Sequence, residues 1–302
     1  MTTTTANTIE RELRIAARPE TVYGFLTDAD KMQQWMGRAV TASAHPGGVI
    51  RVDYNGFDVM RGQFVECDPG RRVVFTWGWE SLDDAMPPGA SRVEFTLLPD
   101  GDGTLVRMVH SGIAAAAIPN HAQGWDMFLP FLAARAEGRA EGPPAATLSR
   151  GEEYGSRLNA LLIQLKEAVT ATPPERWKNP ADGRTANIVA IHTVHHLGLV
   201  DFVKAVAAGV RGPQADFAPT DIDAGNAKSA REFANISKEE VIAQIKAQGP
   251  KAVDALKAMS DADLAKTQSM RFAGGAELSA AQVIEAALLS DIASHLEAVR
   301  SA

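Results

Sequence analysis

The sequence predicts two domains of different class: an α+β domain over residues 1–142 and an all-α four-helix bundle over residues 143–302. Three observations carry this reading. Between residues 49 and 110, short stretches of alternating apolar and polar residues follow one another, separated by explicit turns. From about residue 150 onward, apolar residues recur at helical spacing instead. Between the two, residues 136–153 are rich in Ala, Gly and Pro and show no apolar period, which is the signature of a linker. A length of 302 residues also favours two domains over one.

The bulk chemistry narrows the function classes. A formal net charge of -7 argues against a protein held to nucleic acid by phosphate contacts. The one cysteine, Cys67, excludes a disulfide framework and a cysteine-based zinc site. The first residues lack the basic and apolar regions of a secretion signal. No apolar run approaches the ~20 residues of a membrane span. The expectation is a cytoplasmic protein with neither nucleic acid nor membrane as partner.

In the first domain, residues 9–17 alternate as a strand with one buried face. Pro19 and Glu20 suit the first turn of a helix, and Val22, Phe25 and Leu26 share its face. A second short helix is expected from Asp28 to near Trp35. Strands are expected over residues 49–54, 58–66, 72–79, 91–98 and 104–110. "YNGF", "DPGR" and "PDGDG" are the turns between them. Residues 121–138 then read as a helix with Trp125, Phe128, Leu129 and Leu132 on one side. Pro130 is expected to kink it or end a turn. A curved sheet around one long helix leaves a cavity between them.

These pieces carry a family resemblance. "RPETVYGFLTDADKMQQWMG", "HPGGVIRVD", "RGQFVECDPGRRVVFTWGWE", "VEFTLLPDGDGTLVRMVHSGI" and "HAQGWDMFLPFLA" occur in this order over roughly residues 8–138. The set resembles the START/Bet-v-like superfamily (SRPBCC), in the branch related to activators of the heat-shock-protein ATPase. The resemblance implies a helix-grip fold whose cavity takes a small apolar or amphipathic molecule. Candidate lining residues are Trp35, Tyr54, Met60, Phe64, Trp77, Trp79, Met108, His110, Trp125 and Phe128. Any of these can equally be plain core, and His110 can be a satisfied structural histidine.

In the second domain, Tyr154, Leu158, Leu161, Leu162, Leu165 and Val169 mark a first helix. Residues 173–184 break it. Residues 185–208 form a second helix, with Thr185 as its cap. After a long connection, Ser237 and Glu240 form a capping box that opens a third. Residues 259–278 end it, and Ser279 caps a fourth. Long helices with one long connection predict a four-helix bundle.

The second and fourth helices carry metal-capable side chains within their apolar stripes. In the second, Ile188, Ile191, Leu199 and Phe202 form the stripe; His192 and His195 lie in it and His196 on its shoulder. In the fourth, the stripe of Ile284, Leu288, Ile292 and Val299 contains Asp291 and His295, one turn apart. A polar group facing a core costs free energy unless something satisfies it. Two ligands at i and i+4, plus one from a facing helix, can chelate a transition metal. Three protein ligands would leave positions open for water or substrate.

This arrangement is similar to the DinB-like (YfiT-like) metal-binding bundles, over about residues 148–302. That family usually carries one histidine on its second helix and a His-x-x-x-His pair on its last. It often has a capping Ser or Thr seven residues before the first histidine. Thr185 stands in that relation to His192, while a register through "VHHLGLVD" would promote His195 or His196. His295 matches the second histidine of the pair, and Asp291 stands in place of the first. The resemblance implies a site for a divalent metal (Zn, Ni, Mn or Fe) on His192, His196, Asp291 and His295. The alternative is a hydrogen-bonded cluster in which Asp291 pairs with a charged histidine. Relatives of the bundle include thiol-dependent transferases and isomerases, so a low-molecular-weight thiol is the implied cosubstrate. Two non-enzymatic readings stand beside this one: a ligand sensor or stress-response protein, and a chaperone-associated partner. Some members of both families are dimers, which leaves a homodimer open.

Overall fold

The computed structural model describes residues 7–144, 147–180 and 184–302. Residues 1–6, on which the expected absence of a secretion signal rests, two residues of the expected linker and residues 181–183 of the 173–184 helix break lie outside the described residues. The chain divides into two compact units, Met1–Thr147 and Leu148–Ala302.

The first unit is a seven-stranded antiparallel sheet with helices, a helix-grip fold. Its strands are β1 (Thr8–Ile15), β2 (Ala39–Ala42), β3 (Val49–Asp53), β4 (Val59–Asp68), β5 (Arg72–Trp77), β6 (Ser91–Asp100) and β7 (Gly103–Ser111). They are ordered β1-β7-β6-β5-β4-β3-β2. Strand β6 shows why the sheet has an inside: Ser91, Val93, Phe95 and Leu97 are buried in alternation with more exposed neighbours. A register shift between Phe64 and Glu66 interrupts the β4–β5 ladder, the kind of bulge that curves a sheet. Gly62 permits the close approach of the same two strands, because a Cβ there would lie 1.7 Å from the Thr76 carbonyl oxygen. The short edge strand β2 was not among the expected strands.

Helices α1 (Pro19–Thr27) and α2 (Ala29–Gln33) precede the sheet's middle, and α3 (Ile118–Ala136) closes the unit. Helix α3 buries Trp125, Leu129 and Leu132 in the same core as Phe75, Phe95 and Met108. Pro130 neither ends nor divides this helix. It sits at an exposed position, where the carbonyl it crowds can tilt toward water. Asp126 ties α3 to β1 through both oxygens, at 2.6 and 3.0 Å from the Arg11 guanidinium.

The second unit is mostly helical. Four long helical runs pack on one another: α4 (Arg150–Ala171), α5–α6 (Ala186–His195 and Leu199–Ala207), α8 (Lys238–Lys257) and α10–α11 (Ala280–Val283 and Asp291–Ser301). Helix α4 lies along α8 and α11, and α5 packs on α11 and α8. Three further elements were not foreseen: α7 (Pro219–Glu232) within the long connection, the short α9 (Asp261–Ala265), and a hairpin of β8 (Thr267–Met270) and β9 (Ala276–Ser279). The Ser237–Glu240 capping box forms, and the Ser279 side chain accepts from the Gln282 N–H. Thr185 holds the extended backbone of a cap, but its hydroxyl donates to Asn187 Oδ1 at 2.6 Å instead of accepting a backbone N–H. The run Ala186–Ala207, 22 residues long, is apolar enough to cross a membrane, contrary to expectation; 67% of its most apolar 18-residue window is buried inside the unit, as in a core helix.

Both central runs leave α-geometry at one level. A 3-10 turn, His196–Gly198, joins α5 to α6. A π-helical stretch, Ile284–Ser290, joins α10 to α11. Ile284, Leu288, Ile292 and Leu296 are all buried and recur at every fourth residue. An α-helix drifts by about 40° at each such step. The wider π turn takes up that drift and keeps all four in the core.

Candidate functional site

The two irregular stretches meet at the polar residues of the core. His192, His196, Asp291 and His295 each offer one ligand atom, and these atoms all lie within 4.8 Å of one another. The four come from α5, the 3-10 turn and the first two turns of α11. His196 Nδ1 lies 3.0 Å from Asp291 Oδ2 and 3.2 Å from the Ala287 carbonyl oxygen. Both neighbours only accept, so Nδ1 carries a proton, and in the neutral ring Nε2 has the lone pair. His196 Nε2 stands 2.9 Å from His192 Nε2. His295 Nε2 lies 3.1 Å from Nη2 of Arg184, which can only donate. The lone pair of His295 is therefore on Nε2, and its Nδ1 faces Asp291 Oδ2 at 3.9 Å.

Electrostatics keep His192, at the centre of this cluster, neutral. Burial, then the charges of His196, Arg184, His295 and His195, lower His192 to about 3. A neutral imidazole is the form that binds a metal. The donor set of three imidazoles and one carboxylate suits zinc, nickel, iron or manganese. Bonds of 2.0–2.1 Å in a tetrahedral zinc site put two ligand nitrogens about 3.3 Å apart. The facing Nε2 atoms of His192 and His196 would need to separate by only a few tenths of an ångström. The residues present thus fit a divalent ion.

His195 does not join the cluster. Its Nδ1 lies 3.2 Å from Ser229 Oγ on α7, and its ring packs on Phe233 at 5.0 Å. Arg184 was not among the candidates; its position next to the cap of the histidine-bearing helix was the available signal.

The ten candidate lining residues of the first unit all fall in one apolar core. Trp35, Met60, Phe64, Trp77, Met108 and Trp125 are buried, His110 is buried with them, and Tyr54, Trp79 and Phe128 are half-buried against it. Trp35 is closed off by its N–H donating to the Phe25 carbonyl at 2.8 Å. The aromatic centre is Trp77, whose ring lies 5.6 Å from Trp79, 5.4 Å from Trp125 and 5.3 Å from His110. His110 is satisfied on both sides: Nδ1 accepts from Trp125 Nε1 at 3.1 Å, so Nε2 donates to Ser91 Oγ at 2.8 Å. Burial, helped by the nearby His121, lowers His110 to about 3. His121 accepts from Trp79 Nε1 at 3.2 Å and donates from Nδ1 to the Ala117 carbonyl at 2.8 Å. It was not a candidate, although it precedes Trp125 by one helical turn. The Trp77 Nε1–H is buried and has no hydrogen-bond partner among the described residues.

Fold and residues together place the first unit in the SRPBCC class. Residues 16–137 match the family model described as "Activator of Hsp90 ATPase homolog 1-like protein", so this span is an AHSA1-like domain. Similar solved structures include an AHSA1-like protein from Rhizobium etli, at 36% identity over 45% of this chain and 85% of that one, with a TM-score of 0.37. Another is the Aha1 dimer from Colwellia psychrerythraea, at 22% identity over 45% and 98%, with a TM-score of 0.40. DynU16, from the dynemicin biosynthetic locus, matches at 22% identity over 44% of this chain and 49% of that chain, with a TM-score of 0.39. Among curated proteins, none matches the chain.

Proposed function

We propose that the second unit is a DinB-like four-helix bundle that binds one divalent metal through His192, His196, Asp291 and His295. The observation that carries this reading is the convergence of four ligand atoms within 4.8 Å. The local break in both helices at this level supports it, since π-helical stretches cluster at functional sites. A metal held here supplies a positive charge that lowers the pKa of a bound water or thiol toward neutrality. The chain's own residues do the rest. Asp291 Oδ2 holds the His196 ring by its Nδ1 proton, fixing the tautomer whose Nε2 is a donor. The Ala287 carbonyl, in the π stretch, is a second acceptor for that proton. The activity that fits is transfer or isomerisation with a low-molecular-weight thiol as cosubstrate.

Metal analysis of tag-free protein tests this. One equivalent of metal is expected, and His295→Ala should lower affinity at least ~100-fold, since losing a ligand costs no less than the ~10–100-fold that losing a ligand's hydrogen-bond partner does. Absence of stoichiometric metal, together with a His295→Ala variant that melts as wild type does, would end the reading.

A second reading concerns the first unit, and the orphaned Trp77 N–H favours it. A buried donor without a partner costs about 1–3 kcal/mol. A small, mainly apolar molecule with one hydrogen-bond acceptor would recover that cost among Trp77, Trp79 and Trp125. Native mass spectrometry of the whole protein, with Trp77→Phe as comparison, checks it. Equal uptake of an acceptor-bearing apolar dye by both proteins would refute a role for the Trp77 N–H.

A further inference from the structure

The orphaned Trp77 N–H stands at the inner end of a row of aromatic rings. Of the rings around Trp77, those of Phe75, Trp125 and His110 are buried, whereas Trp79 and His121 are half-buried. Beyond Trp79 the row continues to Tyr54 at 5.9 Å, and from Tyr54 to Phe128 at 5.2 Å, both half-buried. A molecule that comes along this row reaches Trp77 past Trp79 or His121. His121 is tethered, its Nδ1 donating to the Ala117 carbonyl at 2.8 Å, one turn back along the chain. The Trp79 backbone is fixed too, its N–H donating to the Met86 carbonyl at 2.7 Å, but its indole is held to His121 Nε2 by a hydrogen bond of 3.2 Å. When that bond opens, donor and acceptor both turn to water at the half-buried rim, so the exchange costs little. An indole accepts no hydrogen bond, so Trp79 in this place cannot serve the neighbouring Trp77 N–H.

Resting on the reading that a molecule serves the Trp77 N–H, we propose that this molecule is a neutral, flat, bicyclic aromatic compound with a carbonyl group, and that it takes the place of the Trp79 indole, which swings away from His121 to admit it. Shape and size follow from what leaves: an indole set edge-on to Trp77 at 90° and tilted at 55° to Tyr54. Neutrality follows from what remains. His110 and His121 each accept an indole N–H on one ring nitrogen, so neither is charged, and the rings around the site offer an anion no counter-charge. The carbonyl oxygen accepts the Trp77 N–H.

The test uses the full-length protein and coumarin, a neutral bicyclic aromatic lactone. Naphthalene is the bicycle without an acceptor, and coumarin carrying an added carboxylate is the anion. Equilibrium dialysis gives the affinities. Fluorine NMR of fluorotryptophan-labelled protein follows Trp79, whose resonance is assigned by its loss in Trp79→Phe. Coumarin should move this resonance and raise its solvent isotope shift toward that of an exposed indole. His121→Leu removes the acceptor that holds Trp79, so it should bind coumarin roughly fivefold more tightly than wild type, the net worth of one hydrogen bond. Trp77→Phe should weaken coumarin about tenfold and leave naphthalene nearly unchanged. A Trp79 resonance that stays in place with coumarin bound, or equal coumarin affinity in wild type and His121→Leu, overturns the displacement; the Trp77 reading then stands if Trp77→Phe still weakens coumarin selectively. Should His121→Leu fail to fold, the wild-type fluorine spectra decide alone. The carboxylated derivative binding as tightly as coumarin overturns the neutral class. A wild type that binds no coumarin, or a Trp77→Phe variant that weakens coumarin and naphthalene alike, overturns the Trp77 reading and this proposal with it.

Discussion

His110 and His121 in the first unit, and His192, His196 and His295 in the second, are all largely withdrawn from water, yet their surroundings differ in kind. Each ring nitrogen of the first pair has a neutral partner of the right sense: an indole N–H, a serine hydroxyl or a backbone carbonyl. Nothing is left for a ligand to do at those nitrogens. In the second group, nitrogen faces nitrogen at 2.9 Å, and the other neighbours include a carboxylate and a guanidinium beside one backbone carbonyl. Such an arrangement gains from a cation that several lone pairs can share. Burial alone therefore does not mark a site, because it lowers His110 and His192 alike to about 3. The partners set the two groups apart.

The sharpest way to break this contrast is to remove the exposed Ala286 from the π stretch. The buried spacing from Ile284 onward would change from four, four, four to three, four, four, which suits a regular α-helix. The stripe survives, but α11 shifts along its axis by about 1.5 Å, one residue's rise. Sites tolerate only about 0.5 Å of such displacement. The deletion should leave helix content by circular dichroism unchanged and metal-free stability within ~1 kcal/mol. Metal affinity, by competition with a chromophoric chelator, should fall at least ~100-fold. Retained affinity would mean that the π stretch does not position Asp291 and His295.

That stretch also shows what the sequence made legible. The four-residue spacing of Ile284, Leu288 and Ile292 was visible, and it conflicts with a straight α-helix, but only packing shows how the conflict is resolved. The strands and their turns were readable because alternation and glycine-rich turns are local signals. Strand β2, helix α7 and the β8–β9 hairpin were not, because short edge elements and a helix that buries no side chain have no apolar stripe to read. Helical phase put His195 inside the stripe and His196 on its shoulder. The structure turns His195 toward Ser229 and Phe233. Helical phase cannot see which face α7 covers. Thr185 stood where a cap should, but the neighbouring Asn187 takes its hydroxyl.

His110→Leu probes the other side of the comparison. It strands the Trp125 indole N–H, removes the ring from Ser91 and should cost about 2–3 kcal/mol at pH 7.5, with metal uptake unchanged. Its pH dependence carries a sign. His110 titrates at about 3 when folded and near 6.5 when unfolded, so below pH 6.5 the unfolded chain binds a proton the folded one refuses. Stability is full above pH 6.5 and falls on acidification, by about 1.4 kcal/mol per pH unit down to the folded value. Urea unfolding at pH 7.5 and pH 5.0, followed by tryptophan fluorescence, should show a shallower loss in His110→Leu than in wild type. Identical slopes would mean that His110 already takes a proton in the folded state.

The smallest expected effect compares one substitution at two neighbouring indoles. Trp125→Phe and Trp77→Phe remove similar volume from one aromatic cluster. The Trp125 N–H serves His110 Nδ1, whereas the Trp77 N–H serves no described group. Trp125→Phe should therefore be more destabilising than Trp77→Phe by about 1–2 kcal/mol, the difference between orphaning a buried acceptor and removing an already orphaned donor. Ligand-stripped protein is the right sample for this pair. If the order holds there but reverses in protein carrying an acceptor-bearing molecule, the Trp77 N–H has found its partner. If Trp77→Phe is the worse variant even when stripped, the indole contributes through packing, and the first unit's aromatic core is no more than a core.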